Sequence, residues 1–229
     1  NQLETLRALV PDDCVDNIED GGAIAGKEFG VVEEFVPGLV CPGLTLLCAK
    51  PKVGKSWLLL EFGLALANGG VAMGELRCMK VPSLLVMLED SKRRIAARLK
   101  VLRPDGVPGG CSITCEWPKG AMGIAKLDAW LDKHPEVRMV GVDVLAAFRE
   151  PVVNGGGYQS DYDAVAGLQK LAQRRGIAIV LVHHLRKADG DDPIDLVSGT
   201  LGITGAADHI IVITGNKEAG HKLSMRGRD

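Results

Sequence analysis

Aromatic residues are scarce in this 229-residue chain: four Phe, three Trp and two Tyr make up 4% of it. The apolar share of 46% is otherwise aliphatic and is that of an ordinary globular protein. No apolar run is long enough to span a bilayer, and the N-terminus lacks a signal-peptide pattern, which argues against a membrane protein. The chain opens on Asn1 rather than Met and stops at Arg228-Asp229, so a fragment of a longer protein is expected and the lack of a targeting segment says little. Six cysteines form no C-x-x-C and no paired Cys/His spacing, which argues against a zinc site or a disulfide framework and for a reducing cytoplasm. Cys41 and Cys48 sit in apolar surroundings and read as small buried hydrophobes. The formal net charge is −2, without the basic excess common in proteins that live on a phosphate backbone. No internal repeat is evident.

What the chain does have is the stretch from Gly43 to Glu61. The apolar run Leu44 to Cys48 predicts a strand, and a loop with Gly54-Lys55-Ser56 follows it. Leu58, Leu59, Phe62 and Leu66 then recur at helical spacing. Strand, short loop with Gly-Lys-Ser and helix form the context in which a P-loop binds nucleotide phosphates. Backbone N–H groups of such a loop and the helix N-terminus make a concavity for anionic oxygens. The nucleotide-binding stretch is Ala49, Lys50, Pro51, Lys52, Val53, Gly54, Lys55, Ser56 and Trp57. In this reading Lys55 reaches the β- and γ-phosphates and the Ser56 hydroxyl ligates Mg²⁺. The window opens with Ala49 where the usual pattern has Gly.

Taken in order, residues 1 to 34 read as an arm or linker, with a short helix around Leu3, Leu6 and Leu9 and a Gly-rich stretch at Asp20-Gly21-Gly22. Val36 to Val40 gives a turn. Beyond the P-loop helix, Asn68-Gly69-Gly70 is a stop, and residues 71 to 82 suggest a short hairpin. Ser83 to Leu88 is a continuous apolar run, as in a buried parallel strand, and ends in Glu89-Asp90. Ser91 is a candidate N-cap for a helix with Ile95, Leu99 and Leu102 inward. Its other face carries Lys92, Arg93, Arg94, Arg98 and Lys100, which reads first as a solvated stripe.

Further strands are expected at Cys111 to Glu116, Val137 to Val142 and Ile177 to Val182, then at Asp208 to Thr214 and Lys222 to Met225. Helices are expected near residues 123 to 134 (Leu127, Trp130, Leu131 inward) and 159 to 175 (Tyr162, Val165, Leu168, Leu171, Ala172 inward). Residues 144 to 157 and 187 to 205 read as long polar loops.

Strands alternating with helices argue for right-handed βαβ units and a mostly parallel sheet covered on both faces. Ligands bind such sheets at the carboxyl ends of the strands. Four strands lead into polar residues there: Lys55-Ser56, Glu89-Asp90, Asp143 and His183-His184. Asp143 closes an apolar run in the manner of a Walker B strand and would hold Mg²⁺ with Ser56; its blander reading is a turn or N-cap Asp. Glu89 suits polarising an attacking water, with Asp90 competing for that role.

This order of P-loop, Glu, Asp and polar strand end resembles the RecA-like ATPases, and more specifically the RepA-type and KaiC/DnaB-like members of plasmid and phage replication. The stretches that carry it are Ala49 to Ser56, Leu84 to Asp90, Val140 to Asp143, Val180 to Lys187 and Val197 to Asp208. The resemblance implies an α/β, RecA-like P-loop NTPase over residues 35–229, with a mostly parallel central sheet sandwiched by helices. It implies ATP and Mg²⁺ as cofactors, Lys55 and Ser56 on the phosphates and metal, Asp143 on the metal and Glu89 as general base. His184, or His183 in its place, would sense the γ-phosphate. Arg226-Gly227-Arg228 matches a basic-x-basic pair that reaches into a neighbouring subunit's site. The loops at 144–157 and 187–205 match the positions of channel loops that hold DNA. Arg149, Arg186 and Lys187 are offset there by Glu150, Asp189, Asp191, Asp192 and Asp195, so the groove lacks the expected basic surplus. The implied partners are further copies of the chain, a hexamer, and single-stranded DNA, with no membrane. The alternative is a KaiC-like switch or partner-loading ATPase that touches no nucleic acid.

Overall fold

The apolar runs become the strands of one sheet because each is buried on both faces and has a helix to return the chain. In the computed structural model, residues 18–151, 157–185, 197, 201–216, 218 and 220–227 are described. Contacts divide the chain into residues 1–32 and residues 33–229.

In the first unit a short helix, α1 (Gly21–Ala25), stands where a Gly-rich linker was expected. Asp20 is the reason. Its carboxylate accepts from the N–H groups of Gly22 (2.9 Å) and Ala23 (3.2 Å), closing the first turn. The helix expected around Leu3 to Leu9 lies outside the described residues.

In the second unit the elements run β1 (Gly43–Ala49), α2 (Lys55–Asn68), β2 (Val71–Ala72), β3 (Leu76–Arg77), β4 (Ser83–Met87), α3 (Lys92–Leu102), β5 (Cys111–Thr114) and α4 (Gly120–Lys133). They continue with β6 (Met139–Asp143), α5 (Leu145–Phe148), α6 (Gly157–Arg175), β7 (Ala178–His184), α7 (Leu201–Ala206), β8 (His209–Asn216) and β9 (Gly220–Gly227). The seven-stranded sheet has the order β5-β4-β6-β7-β1-β8-β9, parallel except for the β8–β9 pair, and β2 with β3 makes the separate hairpin.

Period-two alternation sorts the strand side chains to opposite faces. Leu44, Leu46 and Cys48 of β1 join Ile179 and Leu181 of β7 against Leu127, Leu131, Val165 and Leu168 of α4 and α6. Leu47 and Ala49 join Val180 and Val182 against Leu59, Phe62 and Leu66 of α2 and Ile95 of α3. The sheet is thus the middle of three layers, the RecA-like α/β sandwich.

Several expectations shift. Residues 145–148 are helical rather than loop, because Leu145 and Phe148 are both fully buried and anchor the turn after β6 to the core. Residues 201–206 are likewise helical, with Ile203 fully buried; residues 187–196 and 198–200 of the expected loop lie outside the described residues, as do Arg186 and 152–156. Tyr162 is exposed on α6, not inward. Trp130 is only partly buried and stacks on His134 at 4.0 Å. Cys41 is half-buried, its thiol 3.0 Å from His209 Nε2, whereas Cys48 is buried and its thiol is pushed up to about 12 by burial.

The α5 anchor makes a direct prediction. Phe148→Ala removes a fully buried ring and should cost about 3–5 kcal/mol, read as a lower urea midpoint at unchanged slope. A shift below a fifth of that would show that α5 is not fixed to the core.

Candidate active site

The four strands that end in polar residues are consecutive in the sheet: β4, β6, β7 and β1. Met87 pairs with Asp143 and Ala49 with His184, so these strands end almost level. Two further bonds tie the ends together. The N–H of Leu88 donates to the Asp143 carbonyl (2.6 Å), and that of Leu185 donates to the Ala49 carbonyl (3.2 Å). Adjacent strands lie about 4.8 Å apart, so the side chains just beyond them converge.

They converge on a cleft of about 440 Å³ lined by Pro51, Lys52, Gly54, Lys55, Ser56, Trp57, Glu89, Arg98, Asp143 and His184. Other cavities of similar size lie away from it. One of about 390 Å³, around His134, Arg138 and Arg174, flanks the starts of β6 and β7 and holds none of the polar strand ends.

The loop geometry follows from the sequence. Gly54 has φ +112°, a left-handed conformation that a side chain would strain, and it leads directly into α2. No side chain caps α2, which leaves its first N–H groups directed at the cleft mouth as an anion site. Ala49 replaces the usual Gly without penalty because it is the last residue of β1, fully buried and outside the left-handed region.

Lys55 is buried, and its ammonium donates to the carbonyls of Ala49 (2.8 Å) and Lys50 (3.1 Å) and to His184 Nδ1 (3.2 Å). Burial lowers its pKa, and the charges of Asp143 and Glu89 partly oppose this. Asp143 is buried at the end of β6. Burial raises its pKa, a hydrogen bond from Ser56 opposes this, and Glu89 and Asp90 add to it. A carboxylate short of compensating positive charge, bonded to a hydroxyl, fits Mg²⁺ in a phosphate site, where one or two carboxylates and the phosphates complete the shell. Among the described residues no group of three His, Cys, Asp or Glu side chains could cage a metal, so the metal would need the nucleotide's oxygens. His184 has its pKa lowered by burial first and by the Lys55 charge second. With Lys55 donating to Nδ1, the ring proton sits on Nε2.

The structure separates the residues that competed for roles. Glu89 is exposed and lines the cleft; Asp90 is buried and paired with Arg94 (2.9 Å) and Arg98. His184 lines the cleft while the buried His183 pairs with Cys48 in the sheet register and does not. Lys50 and Val53 belong to the loop but not to the cleft lining. Arg226 is not brought to the cleft of its own chain. It pairs with Ile210, level with Leu46, about 10 Å back along the strands from Ala49 at 3.3 Å per residue. Arg228 lies outside the described residues.

Arg98 lines the cleft, although its place in the sequence puts it on an expected solvated stripe. The signal was present in the spacing. Arg94 and Arg98 lie one turn apart on α3, on the side next to Asp90, which comes just before the helix; both bond the Asp90 carboxylate, and Arg98 is the more covered of the two.

The strand order and this cleft define a P-loop ATPase of RecA-like fold. The sequence model of the AAA_25 family, described as an AAA domain, matches residues 25–190, and the chain belongs to that family. Among solved structures of the same fold, an isolated ATPase domain superposes with a TM-score of 0.61 at 13% identity, covering 80% of each chain. A DnaB-like replicative helicase, described with its interactions with primase, superposes with a TM-score of 0.58 at 15% identity. That match covers 77% of this chain and 48% of the helicase, so the present chain spans about half of it. No curated protein sequence matches this chain significantly. Among the described residues, no helix is long and apolar enough to cross a membrane.

The His184 contact predicts a pH response. Its folded pKa lies below the usual 6.5, so the unfolded chain takes up the proton first and stability falls as pH drops through that value. Wild type should lose more of its urea midpoint between pH 7.5 and 5.5 than His184→Gln. Equal losses would remove His184 as the group responsible.

Proposed function

We propose that this chain is the motor domain of an oligomeric, Mg²⁺-dependent ATPase that acts on DNA, a RepA-type replicative helicase of a mobile element working in the cytoplasm. The observation that carries the hydrolytic part is the convergence of Lys55, Ser56, Glu89, Asp143 and His184 on one cleft at the carboxyl ends of adjacent strands. Support for the DNA part comes from the fold shared with the DnaB-like replicative helicase. The motor is assigned to residues 35–229, with residues 1–34 as an arm.

In this reading the α2 N-terminus and Lys55 bind the phosphates, and Ser56 and Asp143 hold Mg²⁺. The metal neutralises charge that develops on the phosphate oxygens. Glu89 takes the proton of the attacking water, for which its exposed position beside the buried Asp143 suits it. His184 shares a hydrogen bond with Lys55, so a change at the phosphate end bears on the end of β7 and the segment that follows. Arg226, and Arg228 with it, would act on a neighbour's nucleotide within a hexamer, since Arg226 is remote from its own cleft.

One observation favours the second reading, an ATP-driven switch that binds no nucleic acid. Arg149, a basic residue of the expected DNA loop, is bound to Asp161 at 2.9 Å and so is drawn away from a phosphate-binding role. ATPase rates with and without single-stranded DNA at low salt separate the two. Stimulation and binding are expected of the helicase; neither is expected of the switch.

Glu89→Gln should lower kcat by at least about 100-fold while leaving ATP binding intact; retained turnover would move the base elsewhere. Subunits carrying Arg226→Ala, mixed with wild type, should depress the rate of the mixture more than in proportion to their fraction. A strictly proportional loss would contradict action in trans.

A further inference from the structure

Among the described residues, Trp57 is the large aromatic side chain of the cleft lining, and no role above uses its ring. It lies in the first turn of α2, one residue past Ser56. The inner face of α2 is covered, with Leu59, Leu60 and Phe62 fully buried, whereas Trp57 is 37% exposed. An indole carries a large apolar area that favours burial, and its N–H usually finds a partner when it is covered. Here that N–H has no hydrogen-bond partner among the described residues. The ring is left at the edge of the cleft with little of its own to hold it there.

One contact does fix the ring. The Arg98 guanidinium stands over one face, 5.4 Å from the ring centre, and is itself tied to Asp90. No ring or second cation stacks on the other face among the described residues. At a rise of about 1.5 Å per residue, Trp57 starts about 3 Å along α2 from Lys55. Its indole therefore begins beside the phosphate end of a bound nucleotide, and a base tethered to those phosphates through the ribose falls within its reach. The cleft, at about 440 Å³, is in the size range of sites that enclose a whole small ligand rather than an anion alone. Lys55, Ser56, Glu89 and Asp143 are all taken up by phosphate, metal and water. What the lining offers a base is a flat apolar ring.

We propose that Trp57 is the platform on which the base of the bound nucleotide stacks, with Arg98 holding the indole from its opposite face. This rests on the reading of the cleft as a nucleoside triphosphate site. Stacking on an aromatic side chain uses the π-face that every base has, so such a platform reads ring size rather than the groups on a base edge. Purines, with two fused rings, cover more of the indole than pyrimidines do. The substrate class is therefore the purine nucleoside triphosphates.

The test compares wild type, Trp57→Ala and Trp57→Phe by calorimetry with Mg·ADP, Mg·CDP and Mg·pyrophosphate, which has the two phosphates and no base. Urea midpoints confirm that each variant is folded. Trp57→Ala should weaken ADP binding about 5- to 150-fold, the range for one base on one aromatic side chain, and leave pyrophosphate binding unchanged. Trp57→Phe, which keeps a smaller ring, should retain most of the ADP affinity. The preference of wild type for ADP over CDP should shrink in Trp57→Ala. Trp117 and Trp130 pack on the opposite face of the sheet, so ADP should alter the tryptophan emission of wild type and not that of Trp57→Phe. Equal weakening of ADP and pyrophosphate in Trp57→Ala marks a brace between α2 and α3 and overturns the proposal. Unchanged ADP binding in the folded Ala variant, or an unchanged gap between ADP and CDP, also overturns it. If wild type binds neither ADP nor pyrophosphate, the reading of the cleft as a phosphate site fails instead.

Discussion

A lysine ammonium removed from water at the end of a central parallel strand is the constraint from which the rest of this site follows. Lys55 is buried against the carbonyls of Ala49 and Lys50 and the ring of His184. Burial of that kind disfavours the charged form unless carbonyl dipoles and negative groups compensate. The compensation comes from three different strands: β1 ends in the carbonyls, β6 places Asp143, and β4 leads to Glu89. Asp143 has the matching problem, a carboxylate whose burial is only partly offset by Ser56 and Lys55. Two opposite charges, each held short of full compensation in one cleft, make a place where a polyanion and a divalent cation bind favourably together.

The sheet supplies the rigidity this arrangement needs. β1, β7, β6 and β4 are flanked on both sides by paired strands and covered on both faces by helices, so their ends are held in register with one another. The Leu88–Asp143 and Leu185–Ala49 backbone bonds extend the pairing past the regular strands to the residues that carry charge. α5 does the same from the other side, with Phe148 fixing the turn beyond Asp143 in the core. Only Glu89 among the acidic groups of the cleft stays exposed, as suits a group that handles a water and its proton.

Arginine use divides by location. Arg174 and Arg175 bind Asp128 at the C-terminal end of α6, and Arg138 binds Glu33 at 2.9 Å, surface pairs that contribute little individually. Among the described residues Arg98 is the arginine that lines the cleft, beside the buried Asp90 and the face of Trp57. In the sequence its spacing places it, like Arg94, near Asp90; that Arg98 is the one covered depends on tertiary packing.

Much of the fold was legible in the residues because local physics decides it. Unbroken aliphatic runs such as Ser83 to Met87 have one stable use, a strand buried on both faces, and Gly54-Lys55-Ser56 between strand and helix has few uses besides phosphate binding. A mostly parallel α/β sheet with a P-loop followed from those patterns; the RecA-like fold came from the resemblance carried by the ordered set of P-loop, Glu89, Asp143 and His183-His184. The Gly-rich stretch at residues 20–22 and residues 145–148 of the expected loop were misread where one or two side chains decided the outcome, Asp20 as a cap and Leu145 with Phe148 as core anchors. What the tertiary structure alone decided was adjacency. That β4, β6, β7 and β1 lie side by side, that Glu89 rather than Asp90 and His184 rather than His183 face the cleft, and that Arg98 joins them depend on strand order, register and burial. These are properties of contacts between residues far apart in the chain, and no local pattern of residue types encodes them.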